Sequence, residues 1–132
     1  MINIDCIMDM LDWNNSSEIQ NQAINLAKSV KSINVFIQPL DKLHNKNVWD
    51  NCAKILSARS DEELAPYLIP LLEWLQDLNW PGALTILDRM ISYADMPFFE
   101  FALNECITCA TALQDETWLA NLYELRNARI SR

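Results

Sequence analysis

One glycine in 132 residues, Gly82, is the tightest constraint on how this chain can fold. Strand-rich domains reverse direction often, and their tight turns need backbone at positive φ, which glycine supplies without steric cost. A chain this poor in glycine is expected to be helical. Its apolar fraction, 51%, excludes disorder and supplies the core of a single domain over residues 1–132.

Two tryptophan-bearing junctions suggest how the helices are joined. One reads Met10-Leu11-Asp12-Trp13-Asn14-Asn15-Ser16-Ser17, the other Leu75-Gln76-Asp77-Leu78-Asn79-Trp80-Pro81-Gly82-Ala83. In each, an apolar helix ends in Leu-x-Trp and another begins within a few residues. Such returns build antiparallel helix pairs, the unit of helical repeat proteins. The two Leu-x-Trp triplets lie 67 residues apart, close to two periods of a helical-hairpin repeat.

Apolar periodicity fills in the elements. Ile4, Ile7, Met8 and Leu11 share one face of a first helix. A second helix, capped by Ser16 or by Ser17 with Gln20 as a capping box, buries Ile19, Ala23, Leu26, Ala27 and Val30. Residues 33–40 read as a short helix or apolar turn stopped by Pro39, and residues 41–47 as a polar loop. A third helix turns Val48, Cys52, Ile55 and Leu56 inward. Ser60-Asp61-Glu62-Glu63 is a capping box, followed by a short helix and then a longer one from Pro66 or Pro70 to Leu78. Pro81 suits the first position of the next helix, whose stripe is Leu84, Leu87, Met90, Ile91 and Ala94. Asp95 caps a helix with Phe99, Leu103, Cys106, Ala110 and Leu113 inward. Asp115 caps the last, with Trp118, Leu119, Leu122, Leu125 and Arg129 on one side.

Charge is unevenly placed. Residues 60–125 carry twelve carboxylates and one base, Arg89, a net charge of −11, whereas the rest of the chain has six acids and nine bases. An acidic surface repels nucleic acid and anionic membrane, and it speeds encounter with a basic protein. No apolar run reaches the roughly 18 residues of a membrane span. The start, Met1-Ile2-Asn3-Ile4-Asp5, lacks the basic region of a signal peptide, and the four cysteines form no disulfide framework. A cytoplasmic protein is expected.

Catalytic and metal-binding patterns are weak. Cys106 and Cys109 have CxxC spacing, but they lie in an apolar helix without a second ligand pair, so both are read as packing groups. His44 stands alone in the polar loop. Glu73 and Asp77, four residues apart, could share a helix face and do acid–base work, but their place at a helix junction favours a structural role. A hydrolase built on Glu73, Asp77 and His44 is disfavoured for want of a convergent polar site. No enzyme activity, cofactor or metal is expected. Trp74 and Trp80 are read as core, and Trp49 and Trp118 as packing residues or exposed binding anchors. Glu100, Asn104, Thr108 and Thr111 form a polar stripe flanked by Glu105, with no Lys or Arg between Arg89 and Arg126 to neutralise it.

The block from Ser60 to Ala83, with its Leu-Leu-Glu-Trp-Leu-Gln-Asp-x-Asn-Trp-Pro core, resembles the signature of a family of small bacterial HEAT-like helical proteins with no assigned enzymatic activity. The Leu-x-Trp-Asn-Asn-Ser-Ser start is similar to that family's N-terminal hairpin. Such proteins often occur among immunity proteins of polymorphic toxin systems, including contact-dependent growth inhibition. The resemblance implies an all-α fold, a short right-handed stack of antiparallel helical hairpins. It also implies an immunity protein, monomeric when free, that binds a cognate toxin domain. The acidic surface points to a nuclease as the toxin, because clefts that hold phosphates are basic. Glu100, Glu105, Asp115, Glu116 and Glu124 are the expected binding surface, with Trp118 as aromatic anchor. The alternative is a general protein-interaction adaptor of helical-repeat type.

Overall fold

The computed structural model describes residues 3–40, 45–94 and 97–131. Among them there is no strand, and the fold is all-α. The helices are α1 (Ile4–Met10), α2 (Ser17–Ala27), α3 (Trp49–Ser57), α4 (Asp61–Leu64), α5 (Leu68–Glu73), α6 (Ala83–Ser92), α7 (Pro97–Ala112) and α8 (Glu116–Ser131). Short 3-10 turns cover Ile33–Phe36, Gln38–Leu40, Lys46–Val48, Ala65–Tyr67 and Trp74–Gln76.

Side-chain caps start four of the eight helices, α1, α2, α4 and α8. Asn3 accepts from Cys6 N–H, Ser16 from Ile19 N–H and Asp115 from Trp118 N–H. Ser60 and Glu63 complete the expected capping box. Ser17 does not cap α2. Gln20, its expected capping-box partner, instead donates to Trp13 O and Asn15 O and so braces the first return.

Polar contacts set the directions of the helices. Asn51, early in α3, donates to Leu11 O and Gln20 Oε1, whereas Arg59, just past α3, donates to Ala27 O and Val30 O, both at 2.7 Å. Helices α2 and α3 therefore run the same way. Gly82, at the start of α6, abuts Trp49 and Ala53, and Arg89, near its end, donates to Arg59 O at 2.9 Å. Arg129, near the end of α8, donates to Met90 O at 2.8 Å and Tyr93 O at 2.7 Å. So α2, α3, α6 and α8 form one layer of like-directed helices. Helix α1 returns against α2, α5 against α6 and α7 against α8, forming the second layer. This arrangement is compatible with a HEAT-like stack of hairpins.

The same three arginines tie the layer together at one edge. The last carbonyls of a helix have no partner within it and carry negative partial charge. Arg59 satisfies those of α2, Arg89 the carbonyl just beyond α3, and Arg129 those of α6. Helices α2, α3 and α6 are thus each closed by a cation from the next helix of the layer. Arg129 also lies 3.8 Å from the centre of the Phe99 ring, which joins the two layers at that edge.

The opposite edge is closed by tryptophan. Trp74 is fully buried and donates from Nε1 to Pro81 O at 3.0 Å. Trp49, also buried, meets Trp74 and Trp80 edge to face at 5.9 and 5.4 Å, and Lys46 Nζ lies over both Trp49 and Trp80. Trp80 is half-buried against this cluster. Gly82 makes it possible. Its φ is +82°, and a Cβ there would fall 2.7 Å from Ala53 Cβ and 2.8 Å from Trp49 O. Pro81 therefore does not open α6; the left-handed Gly82 intervenes and the helix starts at Ala83.

Several expected core positions are outside the core. Ile19 and Leu26 are more than a third exposed, because α2 ends the layer and is covered on one side only. In α6 the buried face is Ala83, Ile86 and Met90, which leaves Leu84 60% exposed. Leu113 follows the end of α7 and is 67% exposed. There Asp115 N–H bonds to Ala110 O and Gln114 N–H to Thr111 O around a left-handed Gln114, φ 56°, a Schellman closure without glycine. The readings of His44 and Asp95 lie outside the described residues.

Gly82→Ala is expected to cost about 3 kcal/mol, combining a left-handed Cβ with overpacking. Trp74→Ala is expected to cost about 3–5 kcal/mol, the range for deleting a buried aromatic. Denaturant titration checks both. Gln114→Gly should gain about 0.5–1 kcal/mol, because relief of the left-handed penalty exceeds the added entropy of the unfolded chain; an unchanged midpoint would contradict it.

Candidate protein-binding surface

The six residues expected to bind a partner do not form one surface. Glu100, Glu105, Glu116 and Glu124 are exposed. Asp115 is half-buried, and its carboxylate is used to cap α8. Trp118 is 3% exposed, and its Nε1 donates to Leu72 O at 3.1 Å, so it is a packing residue and no anchor for a partner. Helical spacing from Trp118 turns the ring inward with Leu122 and Leu125, while Glu116 and Glu124 point elsewhere.

Helix α7 divides its acids between two sides. Its buried face is Phe99, Ala102, Leu103, Cys106 and Ala110. Glu100 and Asn104 flank this face toward α8, where Arg126 Nη2 donates to Asn104 Oδ1 at 2.7 Å. The polar stripe thus meets a base that is distant in sequence. Glu105 flanks the other side, toward α5, in line with Phe98, Phe101 and Ala102 at helical spacing.

The hollows of the surface differ in chemistry. Between α2 and α3, Lys28, Lys54 and Arg59 line one together with Ile24, Ile55 and Glu63, which pairs with Arg59 at 2.8 Å. At the α7–α8 return, Thr111, Gln114, Asp115 and Glu116 line another. Between α5 and α7 lies an apolar groove of about 420 Å³, lined by Pro66, Ile69, Pro97, Phe98, Phe101 and Ala102. Phe98 and Phe101 are 59% and 64% exposed. The sequence reading did not select this groove. Its signal was present in α7, which opens Pro97-Phe98-Phe99-Glu100-Phe101-Ala102-Leu103, too apolar for one buried stripe to absorb.

The titratable groups nearby are tuned by packing. Burial raises Glu73 above the usual carboxylate range. Burial, then the Glu73, Cys109 and Glu105 charges, push the Cys106 thiol up to about 12. Cys106 is therefore an inert core thiol. Cys109, read with it as a packing group, is exposed, because three residues along a helix carry it past the edge of the buried face. Among the described residues no group of three or more His, Cys, Asp or Glu could hold a metal ion. Glu73 and Asp77 do not share a helix face. The helical backbone ends at Gln76, and Asp77 is extended, its carboxylate accepting from Asn79 N–H.

At the arginine edge the sign is opposite. Burial raises Asp61, but the Ala94 N–H and the Arg89 guanidinium outweigh it and hold the carboxyl below its usual range. No helix among the described residues is long and apolar enough to cross a membrane.

These features define an all-α, two-layered helical domain with an acidic surface and an apolar groove between α5 and α7. The chain belongs to the DUF5071 family, a domain of unknown function, whose model matches residues 43–131. That match takes in α3 to α8. Comparison with curated proteins and with solved structures found no match.

The two shifted carboxylates predict opposite pH behaviour. Asp61, lowered on folding, stabilises above its unfolded pKa, and that contribution is lost as pH falls through the folded value. Glu73, raised on folding, costs stability when ionised, and acid relieves the cost. Asp61→Asn should therefore be less stable than the parent near pH 7 and Glu73→Gln more stable, both differences shrinking near pH 3. Urea titrations at the two pH values check the signs.

Proposed function

We propose that this domain is an immunity protein that binds a cognate bacterial toxin domain, a nuclease with a basic active site, and covers that site with acidic side chains. The supporting observation is a separation of charge. Arg59, Arg89 and Arg129 are turned onto helix-end carbonyls, and Arg126 onto Asn104. Glu100, Glu105, Glu116 and Glu124 stand in solvent, and no described basic side chain pairs with them. The arginines beside these helices are thus held in specific bonds, while the four glutamates face solvent unpaired. The field of such side chains accelerates capture of a basic partner.

The test starts from the genes beside this one: a basic toxin domain found there is used in a binding titration joined to a growth-rescue assay, and the lack of any such gene counts against the reading. Lys at positions 100, 105, 116 and 124 in place of Glu should slow association by roughly tenfold or more at low salt and abolish rescue. Asp115 is left out of this set because it caps α8. Reversal of Asp5, Asp9 and Glu18 should change little, since Lys28 and Lys31 lie in the same region. Equal tolerance of both sets would remove the electrostatic reading and leave the adaptor alternative ahead.

A further inference from the structure

We propose that the groove between α5 and α7 is the docking seat for a cationic amphipathic helix of the partner. This rests on the reading that the partner is a basic protein, and it assigns a contact surface that the acidic side chains alone do not define.

Three observations carry it. First, the groove is apolar and open, and Phe98 and Phe101 protrude from its wall although α7 already has a complete buried face. Exposed aromatics at the centre of an apolar patch are the residues that dominate binding energy. Second, the groove is bounded by carboxylates at one end. Helices α5 and α7 run alongside in the same direction, since Pro66 faces Phe98 at one end and Ile69 O faces Cys106 Sγ further along. Glu73 follows Ile69 by one turn and Glu105 follows Phe101 by one turn, and both act on the Cys106 thiol between them. Glu62, exposed, lies four residues before Pro66 in the chain. No described base pairs with any of the three. Glu73 is half-buried as well, so a cation placed beside it would meet a carboxylate poorly solvated by water.

Third, the walls dictate the form of the occupant. Both are helices, and no strand occurs among the described residues. There is no free sheet edge to which an extended segment could add. The occupant must satisfy its own backbone, which a helix does. From Phe98 to Glu105 the groove runs about 10 Å, two helical turns. An occupant with apolar residues at i, i+3 or i+4 and i+7, and Lys or Arg beyond them, matches the floor and its acidic end together.

The experiment selects from a display library of random helix-forming peptides of about 15 residues on the full chain, with counter-selection on the Phe98→Ser/Phe101→Ser variant. Both positions are exposed, so the variant is expected to keep its circular dichroism and Tm. Enrichment of peptides with the i, i+3/i+4, i+7 apolar pattern and flanking Lys or Arg is the expected result. The best of these should bind the Ser variant at least about tenfold more weakly. Glu73→Gln with Glu105→Gln should weaken binding severalfold and flatten its salt dependence. Enrichment of acidic peptides, of unpatterned basic peptides, or of none that distinguish parent from Ser variant overturns the proposal. So does a concentration-dependent dimer of the parent that the Ser variant lacks, which would make the groove a self-interface. Growth rescue separates the two readings. Loss of rescue on charge reversal with full rescue by the Ser variant keeps the basic partner and rejects the groove; full rescue by both rejects the basic partner itself.

Discussion

The bond from an arginine to the carbonyls that end a neighbouring helix is the interaction on which the architecture depends. Four like-directed helices stacked in one layer bring their negative ends to one edge, where their dipoles repel and their last carbonyls lack partners. Arg59, Arg89 and Arg129 answer both problems at once, since a guanidinium supplies charge and several donors. Each such bond to a charged donor contributes about 1.5–3 kcal/mol, comparable to burial of an aliphatic side chain. Asp61 completes the edge by accepting from Arg89 and from Ala94 N–H, so the start of α4 is anchored to the end of α6.

That use of arginine shapes the electrostatics of the whole surface. A protein whose bases serve its framework shows its acids to solvent. The hollow between α2 and α3, with Lys28 and Lys54 in its lining, departs from this pattern, and it lies at the end of the layer away from α7 and α8. The surface therefore has a polarity along the stack that a net charge of −8 does not express. The apolar groove lies in its acidic half.

Much of this fold was legible in the sequence because it rests on local rules. The capping box at Ser60, the inward face of α3, the all-α fold and the burial of Trp74 all follow from spacing and propensity over a few residues. What was not legible needed partners far apart in the chain. The inward face of α2 looks complete in isolation, but Leu26 and Ile19 have no neighbour to cover them. Trp118 looked like a candidate anchor until Leu72 O supplied the acceptor for its indole. The polar stripe of α7 looked unneutralised because Arg126 is 22 residues from Asn104. Gln114 gave no sign of a left-handed turn, since glutamine seldom adopts one.

The incomplete cover of α2 has a consequence for how the molecule opens. In a stacked array each unit is stabilised chiefly by its neighbours, so a unit with one neighbour is the first to exchange its amides. The hairpin of α1 and α2 is such a unit, held to the stack by Asn51 and the Arg59 clamp. Its amides should exchange with deuterium through local excursions, while those of α6, enclosed by α3, α5 and α8, should wait for global unfolding. The protein would then carry a protection gradient along the stack, with the hairpin of α1 and α2, outside the family match, as the margin that opens first.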